Sequence, residues 1–239
     1  MPRTFKIPLA VALVVLLGSP AARAATRGKA WDDSYYATFT TSKFTVYKPV
    51  NQEINFKKVD ARLLSAAIFY ETNWRRLKHR LKPLAYSPAL RRAAFGHSKD
   101  MVEKDFHGHV NPDDPKKRTL VQRLKRVGIS RCHMSENVAF VPGRRYPIIS
   151  RKPGSGQIQV DPNNTPKPHT YASFARQLLD GWMLSPPHRK NVLSTSMRYL
   201  GCAAVYCPHQ LLTERGKVIP LDYFKATQNF ASQRGPDPK

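Results

Sequence analysis

The sequence predicts a single mixed α/β domain with a short, largely antiparallel sheet. Helical periodicity fills residues 61–127. Runs of β-branched and aromatic residues follow at 137–141 and 199–230. A further helical stretch, 171–193, separates those strand-like runs. Helices first, then strands flanked by helices, is the order of an α/β layer architecture.

The elements follow from local signals. Asp60 is the N-cap of a helix whose Leu63, Ala67, Tyr70, Trp74 and Leu77 share one face. Pro83 lies beyond its end. Ser87-Pro88 opens a second helix, with Leu90, Ala94, His97 and Met101 on one stripe, ending near Asp105. Residues 106–115 are polar and hold two Pro and a Gly, so they form a loop. Leu120, Leu124 and Val127 mark a short basic helix that stops at Gly128. Asn137–Val141 is a strand with Glu136 at its start. Residues 142–169 are rich in Pro, Gly and basic residues and read as an irregular inserted loop. Tyr171–Leu184 is helical, and Ser185-Pro186-Pro187 starts a helical turn carrying His188. Tyr199–Tyr206, Lys217–Leu221 and Tyr223–Phe230 are strands, and residues 232–239 form a frayed tail. Before the domain, Tyr35–Tyr47 is rich in Thr, Phe, Tyr and Val and suits extended segments.

The first 24 residues differ from the rest. Arg3 and Lys6 precede an apolar run, Ile7–Leu17, and Ala22-Arg23-Ala24 is a small-x-small cleavage pattern. This is the plan of a secretory signal peptide, and the run is too short to span a bilayer. The expected product is secreted or periplasmic, with an N-terminal extension over 25–60 and a domain over 61–231. Nothing after residue 24 reads as a membrane span.

The net charge is +24, and removing Arg3, Lys6 and Arg23 leaves +21. Such a field draws in anionic envelope surfaces, lipids and glycans without selecting among them. No RNA- or DNA-binding motif accompanies it, and aromatic residues do not interleave with the basic loop, so nucleic acid is not the expected partner. The three Cys, at 132, 202 and 207, are an odd count for an exported chain. Cys202 and Cys207 should face opposite sides of a strand, which favours Cys132 pairing with one of them.

Eight His are present. His79, His169 and His209 lie beside basic residues or Pro and read as solvated. His97 lies on an apolar helical face, as a core His with a satisfied ring would. His107 and His109 form H-x-H in the polar loop, a pattern suited to a divalent metal or to proton transfer. His188 at a helix start should stay neutral, because the dipole opposes its charge. No carboxylate pair, G-x-S-x-G, H-E-x-x-H or P-loop occurs, so no standard hydrolase, zinc-protease or nucleotide motif is present.

Together these segments resemble the CAP superfamily of SCP-like proteins, in its bacterial branch. The resemblance covers about residues 61–231. Asn73-Trp74-Arg75-Arg76 resembles the N-x-x-R of its first helix. Pro83-Leu84 with Ser87-Pro88-Ala89-Leu90 resembles the following connection, and His97–Met101 its second helix. Phe106-His107-Gly108-His109 is similar to F-F-S-H, Ser135-Glu136-Asn137-Val138-Ala139 to G-E-N-I-A, and Leu200-Gly201-Cys202-Ala203 to its G-C-A strand. Trp182–Leu193 is similar to W-M-x-S-P-G-H-R-x-N-I-L.

The resemblance implies a three-layer αβα sandwich and a cleft lined by His109, Glu136 and His188, with Ser185, Arg189, Asn191 and Asn137 in support. The family's second Glu falls at Ser185, so two His and one Glu leave an open position around any divalent cation such as zinc. The expected function is binding of a lipid, glycan or peptide in this cleft. The alternative is metal-assisted hydrolysis of envelope peptides or polymers, with Glu136 as ligand or general base. A purely structural Glu136 also fits. The 142–169 insertion, joining the Glu136 strand to the His188 helix, is expected to gate the cleft.

Overall fold

A computed structural model describes residues 31–145, 148–151, 158–160, 166–212 and 218–237. The expected signal peptide and parts of the 142–169 insertion lie outside those residues. The helices are α1 (Thr41–Thr45), α2 (Ala61–Lys78), α3 (Pro88–Glu103), α4 (Leu120–Lys125), α5 (Tyr171–Leu184) and α6 (Pro186–Val192). The strands are β1 (Ala85–Tyr86), β2 (Met134–Pro142), β3 (Arg144–Arg145), β4 (Ile148–Arg151), β5 (Ile158–Val160), β6 (Lys167–Pro168), β7 (Tyr199–Leu212) and β8 (Val218–Ala231).

The main sheet runs β1-β7-β8-β2, antiparallel except for β1 against β7. Helix α3 covers one face, while α2 and α5 cover the other. This is the expected αβα sandwich. The strand expected at 199–206 runs on to Leu212, and the two expected terminal strands merge into β8. The result is one long hairpin in which Tyr199 lies opposite Ala231 and Leu212 opposite Val218.

Capping residues place the helices as the sequence implies. Asp60 accepts from the Arg62 and Leu63 N–H groups, and Ser87 caps α3 ahead of Pro88. Thr119 and Gln122 form a capping box on α4. The core between the sheet and α2/α5 holds Leu64, Ile68, Phe174, Leu179, Trp182, Leu200, Phe224 and Phe230, all buried. Gly201 packs so tightly on α3 that an added Cβ would lie 2.1 Å from the Arg91 nitrogen, so only Gly lets helix and strand meet there.

Four expectations need correction. Tyr35–Tyr47 is not extended: Asp33–Ala37 is a 3-10 turn and Thr41–Thr45 is helical, capped by Asp32 and Thr40. Local side-chain caps outweigh the β propensity of those residues. Among the described residues of the 142–169 insertion, β3 pairs with β6 and β4 with β5 as antiparallel ladders, in place of the expected irregular loop. Residues 233–237 do not fray. Ser87 Oγ donates to the Arg234 carbonyl, and Gly235 and Pro236 pack on Ile129 and Gly128. No disulfide links the three Cys. Cys202 belongs to the large core, whereas Cys132 packs with Leu90, Leu124 and Ile129 in a separate cluster.

Two buried polar side chains lock the connection after α2. Asn73 donates to the Leu84 carbonyl (3.0 Å) and accepts from the Leu84 N–H (2.8 Å). Arg76, 3% exposed, donates to the carbonyls of Lys82, Val192 and Ser194 at 2.7–3.0 Å. It thereby ties α2 to the end of α6. Arg76→Ala strands these carbonyls and should cost about 3 kcal/mol in urea unfolding. A loss below about 1 kcal/mol would show that the tie is dispensable.

Candidate functional site

Glu136 lies near the start of β2, an edge strand. Alternation along β2 sends Glu136, Val138 and Phe140 toward α3, and Asn137, Ala139 and Val141 toward α2 and α5. The Glu136 side chain is 2% exposed. A charge buried to that degree requires partners, and this one has several.

Arg123 Nη2 contacts both carboxylate oxygens, at 2.9 and 2.8 Å. His109 Nδ1 lies 3.0 Å from Oε1. Asn229, in the amide orientation its surroundings require, donates to Oε2 at 3.1 Å and accepts from the Ala94 N–H at 3.1 Å. His97 Nε2 is 3.9 Å from Oε1 and hydrogen-bonds the Gly108 carbonyl at 2.9 Å.

Arg123 also shapes the loop that carries His109. Its Nη2 donates to the His109 carbonyl (3.1 Å) and its Nη1 to those of Lys117 and Arg118 (3.0 and 3.2 Å). Within the loop, buried Asn111 donates to Asp100 Oδ2 and accepts from the Asp113 and Asp114 N–H groups. His109 is therefore held at both its backbone and its ring. With Glu136 ionised, Nδ1 carries the proton, and the half-exposed ring offers Nε2 as an acceptor.

His188 reaches the site from the other layer. Asn137 Nδ2 donates to the His188 carbonyl (3.2 Å), and Asn191 Nδ2 donates to the Glu136 carbonyl (3.2 Å) and to Asn137 Oδ1 (2.8 Å). The indole of Trp182 donates to the Val138 carbonyl at 3.2 Å. These bonds cap outward-facing carbonyls of the β2 edge and dock α6 against it. Burial and the nearby His109 lower the His188 pKa, so its neutrality has causes other than a helix dipole. Ser185 is the backbone N-cap of α6, its carbonyl accepting from the Arg189 N–H, and the Arg189 side chain is exposed.

Of the expected trio, His109 and Glu136 are in direct contact, and His188 adjoins them through its backbone bond to Asn137 and its nearness to His109; the carboxylate is already engaged. The donor set does not suit a divalent cation. An ion at Glu136 would lie beside the Arg123 guanidinium, and His109 directs Nδ1 at the same carboxylate. Among the described residues, no group of three or more His, Cys, Asp or Glu side chains is placed to share a metal ion. The insertion does not border the site at its roots. Gly143 and His169, which pair there, lie about 20 Å along β2 and α5 from Glu136 and His188.

Other histidines also depart from expectation. His169 is buried, with Nδ1 2.9 Å from Ser173 Oγ at the start of α5. His97 is buried but only half satisfied, since Nδ1 lacks a partner. His107 and His209 are exposed, as their polar surroundings imply, although His209 lies in β7 beside Tyr223 rather than in a loop.

Arg123 and Asn229 are the site residues that sequence reasoning misses. Arg123 falls on the apolar stripe of Leu120, Leu124 and Val127, and a cation on a buried stripe signals a buried anion. Asn229 alternates with Tyr223, Lys225 and Thr227 on one strand face, with no such flag.

The profile of the cysteine-rich secretory protein family, CAP, matches residues 69–214, more than half of the sequence. The chain belongs to the CAP family. Solved structures similar to this CAP protein include an extracellular SCP-domain protein of Bacillus anthracis (24% identity, 73% of this chain and 42% of that one, TM-score 0.47). Another is an outer surface protein of Borrelia burgdorferi (14%, 76% and 97%, TM-score 0.42). A third is a cysteine-rich secretory protein of Staphylococcus aureus (14%, 72% and 39%, TM-score 0.40). The chain spans less than half of the Bacillus and Staphylococcus chains. No curated protein sequence matches it significantly.

Burial lowers the pKa of His97, His169 and His188, helped at His188 by the nearby His109. The unfolded chain titrates these groups near 6.5. Below that pH it binds protons the folded chain refuses, so stability falls as pH drops and is constant above. The urea midpoint should be lower at pH 5.5 than at 7.5, and His97→Gln should narrow the gap. An equal or higher midpoint at pH 5.5 would contradict the burial of these rings.

Proposed function

We propose that this CAP protein is an exported binding module whose cleft over His109 and His188 holds an amphipathic, anionic envelope molecule. The observation that carries this reading is the saturation of Glu136. Its carboxylate accepts from Arg123, His109 and Asn229 and is closed to solvent. A general base needs a lone pair within reach of the substrate proton. Glu136 has none to offer, so its work is to hold two segments and one imidazole in place.

The surroundings suit binding. Val110, Val121, Phe140 and Leu184 are among the exposed large apolar side chains. Each lies on a segment that frames the site: beside His109, on the Arg123 helix, on β2, and where α5 meets α6. Arg189 and Lys190 add cations next to Leu184. Of lipid, glycan and peptide, this mix of apolar rim and positive charge favours a lipid with an anionic headgroup. Export rests on the leader-like first 24 residues, and the net charge of +21 left without them would concentrate the protein at anionic surfaces.

A second reading draws on the His109–Glu136 pair. A carboxylate that orients an imidazole and leaves Nε2 open is the supporting half of a hydrolytic site. The nucleophile is what it lacks: among the described residues, no hydroxyl or thiol hydrogen-bonds His109.

Vesicles of phosphatidylglycerol and phosphatidylcholine test the proposal. Cosedimentation should require the anionic lipid and weaken with salt. His109→Ala combined with His188→Ala should weaken it about 3- to 10-fold, since the basic surface also contributes. Unchanged binding in the folded double variant, or complete loss in either single variant, would contradict a cleft aided by a basic surface.

A further inference from the structure

The N-terminal extension builds a second concavity on the side of the molecule away from the His109 cleft. An open groove of about 560 Å³ runs between residues 36–45 of the extension and α2 with the 83–86 connection. Its size is within the range of small-molecule sites. Six of its fifteen lining residues lie ahead of residue 69, where the CAP match begins, so the extension completes a groove whose other wall is part of the CAP domain.

Three features of the lining define a ligand. Aromatic rings dominate the floor: Tyr36, Phe39, Trp74 and Tyr86 are partly exposed there. The extension is fixed against α2 by ring packing, with Tyr36 stacked on Tyr86 at 3.6 Å, Phe44 stacked on Tyr70 at 4.2 Å, and Trp31 buried among six rings. The floor is thus held in shape before any ligand arrives. Thr40, Thr41, Ser42 and Thr45 also line it; the Thr40 and Ser42 hydroxyls bond each other and Thr45 donates to the Ser42 carbonyl, each keeping further capacity for a ligand. Cations stand at the border of the groove: Lys78 Nζ lies 4.0 Å over the ring of Trp74, which lines it, and Arg75, 5.4 Å from the same ring, is engaged by Glu71 and Asp180.

We propose that this groove binds an acidic saccharide. A sugar ring has an apolar C–H face that packs on aromatic rings and an equatorial belt of hydroxyls that meets side-chain hydroxyls. An open groove serves such a ligand, because one face stacks while the other stays in water. An acyl chain gains from removal of its whole surface from water, which an open groove does not provide. Lys78 at the border and the net positive charge, +21 without the first 24 residues, select an acidic chain over a neutral one.

Trp74 makes the proposal directly testable, since Trp31 and Trp182 are 2% exposed and Trp74 is the partly exposed indole of the three in the chain. A sulfated heparin hexasaccharide should perturb tryptophan fluorescence at 150 mM salt, and neutral chitohexaose should bind at least tenfold more weakly. Trp74→Phe should abolish the signal yet keep calorimetric affinity within about threefold, whereas Trp74→Ala should lose tenfold or more. Lys78→Ala should weaken binding and flatten its salt dependence. The last variant serves if Trp74→Ala does not fold. His109→Ala with His188→Ala should leave hexasaccharide affinity unchanged, so failure here and failure of the lipid-cleft reading are separable. Unchanged hexasaccharide affinity in folded Trp74→Ala or Lys78→Ala overturns the proposal. So does equal affinity for chitohexaose, or a Trp74 response to phosphatidylglycerol vesicles with none to the hexasaccharide.

Discussion

The contact between Glu136 and Arg123 is the constraint on which the site depends. Two ions, 2% and 3% exposed, face each other at 2.8 Å. Desolvating both costs several kcal/mol, and their attraction repays that cost only with good geometry and further hydrogen bonds. Those bonds are present. Arg123 donates to three loop carbonyls, and Glu136 accepts from His109 and Asn229 as well. One ion pair thereby fixes the β2 start, the α4 helix and the loop bearing His109. The same pair, with His109 and Asn229, leaves both carboxylate oxygens engaged.

A second set of polar side chains defends the exposed edge of the sheet. Asn191 and Trp182 cap the Glu136 and Val138 carbonyls, and Asn137 joins Gln228, Asn191 and the His188 backbone. An uncovered edge strand invites pairing with another chain. Here it carries α6 instead, which brings His188 beside His109. Farther along the α3 face, Lys225 donates to the Met101 and Phe106 carbonyls at the end of α3. Edge protection and site assembly are thus performed by the same residues, Asn137 and Asn191.

Much of this is legible in the sequence. Asp60, Ser87-Pro88, Gly128 and Ser185-Pro186 mark helix ends by mechanisms that act within a few residues, and all four mark real boundaries. The segments carrying His109 and Glu136 meet at one carboxylate, and the His188 segment docks on β2 beside them. What is not legible depends on distant partners. Arg123 reads as one more basic residue until its buried anion is known. The paired strands inside 142–169 are hidden by a composition that suits turns equally well. Tyr35–Tyr47 has β propensity, but its rings are needed around Trp31, and compact turns deliver them there. His169 lies beside Pro in sequence and is buried by the β6–α5 junction.

A double-mutant cycle on Arg123 and Glu136 tests the account most directly. Arg123→Met and Glu136→Gln each leave one buried charge unpaired, and each should destabilise the fold by about 3–5 kcal/mol in urea unfolding. The double variant should lose far less than the sum, giving a coupling of about 2 kcal/mol or more. Additive losses, or a Glu136→Gln variant as stable as the parent, would show that the carboxylate is not held by Arg123.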